Sequence, residues 1–370
     1  MTTSIDLSQL SAPDVVDELS FTVIRDAMLA DLAVRDPNLS NLPTSDPSYK
    51  VLEVAAYREL LLRQRVNDAS VAVMLAYATG SDLDNLGALP WMNTPRLVVD
   101  PGDENAIPPI EPTYETNDDY RARLQLALEG FSTAGPEGAY LFHAKSASGL
   151  VKDVSATRLK ENSTATGGAV NALDDTGQAW PVDERVDWKI EITAGTGAGQ
   201  VRTVGANTAT QLTPTVDWVT APDATSVYEL SLGGSVVITV LSTVGDGTPD
   251  AALLTVVNDA LSELDIRPLT DNVSVQAPTI TNYSVTAELT VYPGPDSETV
   301  RAASEAAVTL YAEEQHKLGR DITLAGLTGA LMVVGVMDLN LVLPAANIVN
   351  DKTQVSYVNV ITVTVAGVDE

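Results

Sequence analysis

The most regular hydrophobic spacing in the chain falls within residues 51–79. Apolar residues there follow one another at alternating steps of four and three, which is the spacing of one face of an α-helix: Leu62, Val66, Ala69, Val73 and Ala76. The first half of the segment is apolar on nearly every side, which a helix with one face in solvent would not need. At about 1.5 Å per residue this helix would be roughly 43 Å long. We predict a long helix that packs between several neighbours and ends at Gly80, with a short helix after it.

A period of two, typical of strands, replaces the helical spacing over residues 279–292. One face of this predicted strand is apolar and its other face is polar, so we expect a half-buried strand with these core positions: Tyr283, Val285, Ala287, Leu289 and Val291. A following helix is predicted with these core positions: Val300, Ala303, Ala307 and Leu310. A helix at about 323–334 and two strands close this second α+β unit.

The block from 160 to 233 differs in character from the sequence on either side. It is rich in Thr, Gly, Ala and Asp, and it contains Trp180, Trp188 and Trp218, three of the four Trp residues in the chain. Short β-like runs separated by Gly and Asn predict an all-β unit. The strands predicted at 150–157 and 236–241 flank the block, so we expect a small β domain inserted into a loop of its host.

These elements predict an α+β multidomain fold. It comprises an N-terminal long-helix region, central and C-terminal α/β sandwich units, and an inserted all-β domain. The predicted divisions are as follows: a helical region at 1–98, a Pro-rich acidic linker at 99–115, a central domain at 116–159 plus 234–272, the insert at 160–233 and a C-terminal domain at 273–370. The Pro-rich stretch near residue 108 is a candidate flexible joint.

Composition narrows the classes of function. The chain of 370 residues has no Cys, which excludes disulfides and thiolate metal sites. The chain has 21 Lys and Arg and 50 Asp and Glu, which gives a net charge of −29. We therefore expect no binding to nucleic acid or to anionic membranes. No signal peptide and no run of eighteen apolar residues is visible, so we expect a soluble protein made in the cytoplasm.

Residue patterns for catalysis are weak. His143 and His316 lie in predicted helices, far from any nucleophile motif, and are interpreted as ordinary helix residues. The run Gly195, Gly197 and Gly199 lacks the helix that a dinucleotide site requires, and a hairpin turn is the better interpretation. Paired acids are common, but fifty acids produce such pairs by chance. We therefore predict no catalytic, cofactor or metal site.

A basic cluster on the long helix has two interpretations. Arg58, Arg63 and Arg65 stand out in an acidic chain. They could be solvated and paired within the helix to Glu53 and Glu59. They could instead contact an acidic partner, because Arg is favoured at interfaces for its bidentate geometry. The sequence leaves both interpretations open.

Several segments resemble the baseplate J family, the wedge proteins of contractile-tailed phages and related injection systems. The similar segments occur in the family's order and cover nearly the whole chain: Ile5–Leu19, Ala56–Glu59, Arg63–Asn67, Ala72–Ala76, Gly80–Asp84, Gly138–Ala144, Arg267–Asp271, Val291–Pro295 and Glu314–Asp321. The insert is the departure, since short family members join the two flanking strands almost directly. It resembles small β modules found in many phage structural proteins.

The resemblance implies a non-enzymatic structural role in the virion tail. Two copies would pair with a wedge partner similar to tail protein I, near a sheath initiator similar to the lysozyme-like baseplate protein W. C-terminal domains would meet neighbouring wedges in a ring around the spike or hub, and the ring would relay the trigger for contraction. The resemblance places the wedge-bundle interface at Leu52, Tyr57, Arg58, Leu61, Leu62, Arg63 and Arg65. It places the ring interface region at Val300, Leu310, Leu327 and Leu331.

Two other functions remain open from the sequence. The insert could bind host-surface carbohydrate, in which case Trp180, Trp188 or Trp218 should form an exposed platform. The chain could instead be a tail-associated peptidoglycan hydrolase that uses a pair of carboxylates. Exposure of the Trp residues and the surroundings of the paired acids distinguish these hypotheses from a structural role.

Overall fold

A computed structural model describes residues 7, 10–11, 19–132, 136–263, 266–294 and 296–369. The chain forms two compact units, residues 1–128 and 129–370. Helices and sheets occur in both units, which confirms the predicted α+β multidomain fold.

The first unit is mainly helical. Its elements are α1 (Phe21–Arg35), α2 (Pro47–Ala72), α3 (Gly80–Gly87), β1 (Val98–Asp100), β2 (Thr113–Tyr114) and α4 (Asn117–Leu126). Helix α2 begins at a strong start signal, because the Asp46 carboxylate accepts a hydrogen bond from the Ser48 N–H at 2.8 Å and Pro47 occupies the first turn. Helix α4 begins at an N-cap: Thr116 Oγ1 accepts from the Asp119 N–H at 3.2 Å and donates to the Asp119 carboxylate at 2.7 Å.

The long helix ends earlier than predicted, at Ala72 rather than near residue 79. The chain then turns inward so that Ala78 joins Leu83 and Leu124 in a small core. Arg121 stabilises this turn, because its guanidinium donates to the carbonyl oxygens of Leu75 at 2.7 Å and Ala78 at 2.8 Å. A cation from a distant helix thus replaces the hydrogen bonds that a continued helix would have supplied.

Residues 98–114 form a hairpin arm, which corrects the prediction of a linker. Strands β1 and β2 pair antiparallel, and Asp103 and Ile110 exchange backbone hydrogen bonds of 2.9 and 3.0 Å. The arm leaves and returns to the first unit, so the candidate joint near Pro108 does not connect two domains. Helix α4 belongs to the first unit as well, because Tyr120 and Leu124 pack with Leu83. The predicted domain boundary at residue 116 is therefore wrong.

The second unit contains two helix-covered sheets in succession. The first consists of α5 (Glu137–Ser146), β3 (Val151–Thr157), β11 (Ser235–Ser242), α6 (Ala251–Ser262) and β12 (Asn272–Gln276), with strand order β12-β11-β3. The second consists of β13 (Thr279–Val291), α7 (Ser297–Gln315), α8 (Leu324–Leu331), β14 (Val336–Leu343) and β15 (Gln354–Val368), with order β14-β13-β15. In each sheet the central strand pairs antiparallel on one side and parallel on the other.

The alternating pattern of β13 predicted its buried face correctly. Each of the five predicted core residues is at most 7% exposed. Of the predicted core positions of α7, Val300 is buried, whereas Leu310 is 62% exposed. The other buried residues of the helix are Ser304, Val308 and Ala312, so the predicted face is rotated from the observed one. The polar Ser304 is buried because its hydroxyl donates to the Leu331 carbonyl oxygen of α8. A tertiary hydrogen bond, which helical periodicity does not show, sets the rotation of α7.

A seven-stranded sheet interrupts the first sheet of this unit between β3 and β11. Its strands are β4 (Lys160–Thr164), β5 (Gly167–Ala169), β6 (Ala172–Asp174), β7 (Lys189–Ala194), β8 (Val201–Asn207), β9 (Gln211–Pro214) and β10 (Val227–Ser231), in the order β4-β10-β7-β8-β9-β6-β5. The entering and leaving segments are joined by a hydrogen bond from the Leu232 N–H to the Leu159 carbonyl oxygen, at 3.2 Å. Close ends of this kind allow a whole domain to sit in a loop of its host.

Candidate functional site

Helix α2 leaves most of its apolar surface uncovered. Only Tyr49 and Ala56 are buried along its length, on the side that faces α1. Large apolar side chains on the remaining surface are about half exposed or more: Val51 67%, Val54 61%, Tyr57 54%, Leu61 49%, Leu62 63% and Val66 49%. With about 3.6 residues per turn, these six residues share one half of the helix circumference. We call this surface the α2 face.

Two arginines lie at the centre of the α2 face. Arg58 and Arg65 are nine positions from Tyr49 and Ala56 respectively, about two and a half turns, so they point away from the buried side. Together with Leu61 and Leu62 they line an open pocket. Within the described part of the chain neither guanidinium has a carboxylate partner. The centre of this face therefore carries two uncompensated positive charges among apolar side chains.

The structure distributes the predicted interface residues of α2 unevenly. Tyr57, Arg58, Leu61, Leu62 and Arg65 are all exposed on the α2 face. Leu52 is half-buried, and Arg63 lies toward the covered side. Arg63 donates to the Glu59 carboxylate at 3.0 and 2.5 Å. This is the pairing within the helix that the first of the two interpretations of the basic cluster expects. The cluster thus divides into one structural arginine and two that face outward.

The predicted ring residues need a correction at residue level. Val300 is 4% exposed, and Leu327 and Leu331 are 0% exposed. All three belong to the core between the helices and the sheet of β13, so they cannot themselves contact another protein. Leu310 alone among the four is exposed. The resemblance placed Leu327 and Leu331 of α8 in the ring interface region, but the sequence does not reveal which face of a short helix meets the sheet.

Comparison with known proteins gives three matches. Residues 44–103, which span α2, α3 and the first strand of the arm, match the Baseplate J-like N-terminal domain. Residues 283–364, in the last sheet and its helices, match the Baseplate J-like protein C-terminal domain. Baseplate protein J of Escherichia phage P2 is 38% identical over 373 residues, covering 99% of each chain.

The chain belongs to the baseplate J family. Membership makes it a structural component of the phage tail baseplate and places it in the virion. None of the helices in the described ranges combines the length and hydrophobicity needed to span a bilayer. The α2 face lies inside the matched N-terminal segment of this baseplate J chain, whereas the insert falls between the two matched segments.

The inserted sheet of this family member does not present aromatic residues to solvent. Trp180, Trp188 and Trp218 are 5%, 6% and 3% exposed and form part of one hydrophobic core. A sugar platform needs open rings, so the carbohydrate hypothesis loses the residues on which it depended. Gly195, Gly197 and Gly199 all have positive φ in the turn between β7 and β8, in agreement with a hairpin.

Some of the paired acids in this baseplate J chain make local structural contacts. Asp119 accepts from the Thr116 hydroxyl at the start of α4, and Glu184 pairs with Arg185 at 2.8 Å. His316 follows the end of α7, and its Nδ1 lies 2.8 Å from the Lys152 ammonium. Burial and the positive charge of Lys152 lower the pKa of the His316 imidazole. Among the described residues, no group of three or more His, Asp or Glu side chains is placed to hold a metal ion.

Asp175 is a buried carboxylate in the core of the insert. It is 2% exposed and accepts hydrogen bonds from Ser163 at 2.6 Å, Tyr228 at 2.7 Å, the Gly177 N–H at 3.0 Å and Gln178 at 3.2 Å. Burial alone would raise the pKa of Asp175, but these four donors outweigh it and lower the pKa below its ordinary value. Spacing along the chain does not reveal this network, because its members come from two strands, β4 and β10, and from the segment that follows β6.

We expect Asp175→Asn to destabilise the insert by about 1–3 kcal/mol at neutral pH, since the new amide cannot accept from all four donors. A lowered folded pKa contributes stability above the unfolded value of about 4, and this contribution is lost as pH falls through the folded pKa. The wild-type insert should therefore lose more stability than the variant between pH 5 and pH 2. Thermal unfolding followed by Trp fluorescence measures this, because three of the four Trp residues are in the insert core. Asp217→Asn, at an exposed position of the same domain, is the control. Equal pH dependence in all three proteins would contradict the prediction.

Proposed function

We propose that this chain is a wedge component of a contractile-tail baseplate, and that it pairs with a second copy and with a wedge partner through the α2 face. In this proposal the C-terminal domains meet neighbouring wedges and close a ring around the spike. A change in the ring then passes the trigger to the sheath, next to the sheath initiator. The wedge partner resembles tail protein I, and the initiator resembles the lysozyme-like baseplate protein W.

The exposed apolar surface of α2 carries the proposal. Six large apolar side chains, from 49% to 67% exposed, line one half of a single helix. Burying such side chains against a partner contributes about 25 cal/mol per Å² of apolar surface removed from water. An uncovered surface of this kind in a soluble protein marks an interaction site or an aggregation hazard. Permanent assembly into a particle removes the hazard.

Charge adds specificity to this surface. Arg58 and Arg65 would be buried by any partner that covers the α2 face, and a buried cation without a partner is costly. We therefore expect acidic side chains opposite them. Two α2 faces packed directly on each other would place arginines near arginines, so the proposal favours an acidic apolar partner segment over a simple pair of α2 helices.

Exposed apolar residues on the C-terminal domain support the ring contact. Leu310 is 62% exposed, Val334 100% and Val349 74%. The buried residues Val300, Leu327 and Leu331 hold α7 and α8 on the sheet and thereby position Leu310 on α7. Leu310 is the one residue of the predicted ring set that we retain as a contact.

Electron microscopy of the assembled tail tests the proposal. We expect protein density on the α2 face of every copy, with carboxylates near Arg58 and Arg65, and contacts between C-terminal domains of neighbouring wedges. A particle in which the α2 face lies in solvent would refute the role of the long helix. C-terminal domains without mutual contacts would refute the ring.

A further inference from the structure

The arm at residues 98–114 ends in an apolar tip that the described residues of the chain leave exposed. Ile107 is 99% exposed, Ile110 55% and Tyr114 52%, and every residue from 107 to 114 is exposed. Prolines at 108, 109 and 112 lack an N–H, so this segment is poorly suited to adding a strand to a sheet. Contacts through side chains are the way in which such a tip can bind.

The arm is preformed. The Asp100 carboxylate accepts from the Gly102 N–H at 2.9 Å, and the Asp103 carboxylate accepts from the Asn105 N–H at 2.8 Å. Gly102 has φ +69°, and a Cβ there would lie 2.2 Å from the Ile110 carbonyl oxygen, so the two sides of the hairpin are in contact. A partner that binds this arm loses little free energy in ordering it.

The base of the arm is anchored in the core of the first unit. Glu115 accepts from the Leu97 N–H at 2.9 Å and forms an ion pair with Arg123, with side chains 7% and 3% exposed. Arg123 also donates to the Pro95 carbonyl oxygen at 2.6 Å. The direction of the arm is therefore set by the buried part of the molecule.

The arm and the α2 face have complementary chemistry. Residues 98–114 contain Asp100, Asp103, Glu104 and Glu111 and no Lys or Arg, so the tip is apolar with an acidic border. The α2 face is apolar with Arg58 and Arg65 at its centre. In a chain of net charge −29, an apolar surface centred on arginines is unusual. Its positive charge complements the negative charge of the arm.

We propose that the arm of one copy docks on the α2 face of a second copy, with Ile107 and Ile110 on Leu61 and Leu62 and the acids of the arm near Arg58 and Arg65. The proposal rests on the assembly role proposed above and names the partner of the α2 face. In a two-fold pair each copy gives one arm and receives one, which is a self-complementary arrangement. It also avoids the contact between arginines that direct pairing of two α2 helices would create.

The absence of Cys makes a crosslinking test direct. Ile107→Cys and Leu61→Cys are made in separately tagged chains, mixed, and oxidised under mild conditions. Because each chain has one thiol, a disulfide that carries both tags can only join two molecules. We expect this mixed dimer to form at least tenfold more than in the control mixture of Leu61→Cys with Val182→Cys, a 70% exposed position in the insert. Equal yields in the two mixtures would overturn the proposal.

Complementation is the second test. Ile107→Ser combined with Ile110→Ser removes the tip, and Arg58→Glu combined with Arg65→Glu reverses the α2 face. We expect wild type to sediment as a dimer and each double variant alone to sediment as a monomer at the same concentration. A mixture of the two variants should form dimers again. The intact arm of the Arg58→Glu, Arg65→Glu variant fits the intact α2 face of the Ile107→Ser, Ile110→Ser variant. A tip variant that dimerises like wild type refutes the arm contact.

The two proposals fail in different ways. If Leu61→Asp blocks particle assembly while the tip variant dimerises and assembles normally, the α2 face binds another baseplate protein. The docking of the arm is then wrong, and the wedge role stands. If both variants assemble normally, the α2 face has no role in assembly and both proposals are wrong.

Discussion

Leu61→Asp, or Leu62→Asp, is expected to abolish incorporation of the chain into tails while leaving the isolated chain folded. Both side chains are about half exposed or more, at 49% and 63%, so a carboxylate at either position remains hydrated in the free protein. A partner that covers the α2 face would bury that carboxylate. An unpaired buried charge costs several kcal/mol, on the order of 3–5 after relaxation, which corresponds to a loss of affinity of about a hundredfold to several thousandfold.

Complementation of a phage that lacks the wild-type gene measures this effect, with tails counted by electron microscopy. Circular dichroism of the purified variant shows whether the fold is intact. Val182→Asp makes the same chemical change at an exposed valine of the insert and should assemble normally. Normal tails with Leu61→Asp would refute the assembly role of the α2 face.

Arg123→Leu is expected to destabilise the first unit by about 3–5 kcal/mol, because it leaves the Glu115 carboxylate buried without its cation. Arg123 is 3% exposed, stacks 5.3 Å from the centre of the Tyr120 ring and contacts Glu115 through two nitrogens. Glu115 in turn holds the base of the arm through the Leu97 N–H. Loss of the cation should therefore loosen both the α3–α4 core and the arm.

Hydrogen exchange on the full chain locates this effect. We expect faster exchange in α3, α4 and residues 97–115, and unchanged protection in the sheets of the second unit. Arg35→Leu removes a surface pair whose side chains are 74% and 64% exposed, so its cost should stay below about 1 kcal/mol. The double variant Arg123→Leu with Glu115→Leu should recover much of the loss, since no charge stays buried. A double variant as unstable as Arg123→Leu would show that packing, rather than the orphaned carboxylate, is responsible.

The character of each element was readable in the sequence wherever one physical signal dominated. Alternation of apolar and polar residues predicted β13 and its buried face, because a strand has only two faces. The cap at the start of α4 lies between Thr116 and Asp119, which are near neighbours in the chain. The change of composition after residue 159 coincides with the start of β4, the first strand of the seven-stranded sheet. The family resemblance and the excess of apolar residues on α2 together predicted a structural protein of the baseplate, which family membership confirms.

Other features depended on contacts between residues far apart in the sequence. Helix α2 ends at Ala72, and Arg121, from another helix, donates to carbonyl oxygens of the turn that follows. The prolines near residue 108 indicated a break in regular structure, but only the pairing of Asp103 with Ile110 makes that segment an arm instead of a linker.

Burial of particular side chains also required the tertiary structure. Periodicity identified α7 as a helix, yet its rotation follows from the hydrogen bond of Ser304 to α8. The sequence allowed the three Trp residues to face either solvent or core, and the structure places them in the core of the insert. Local propensity and spacing act between neighbours in the chain, so the sequence determined which segments are helices or strands. Which apolar surfaces stay uncovered, the α2 face and the tip of the arm among them, was decided only when the rest of each unit had packed.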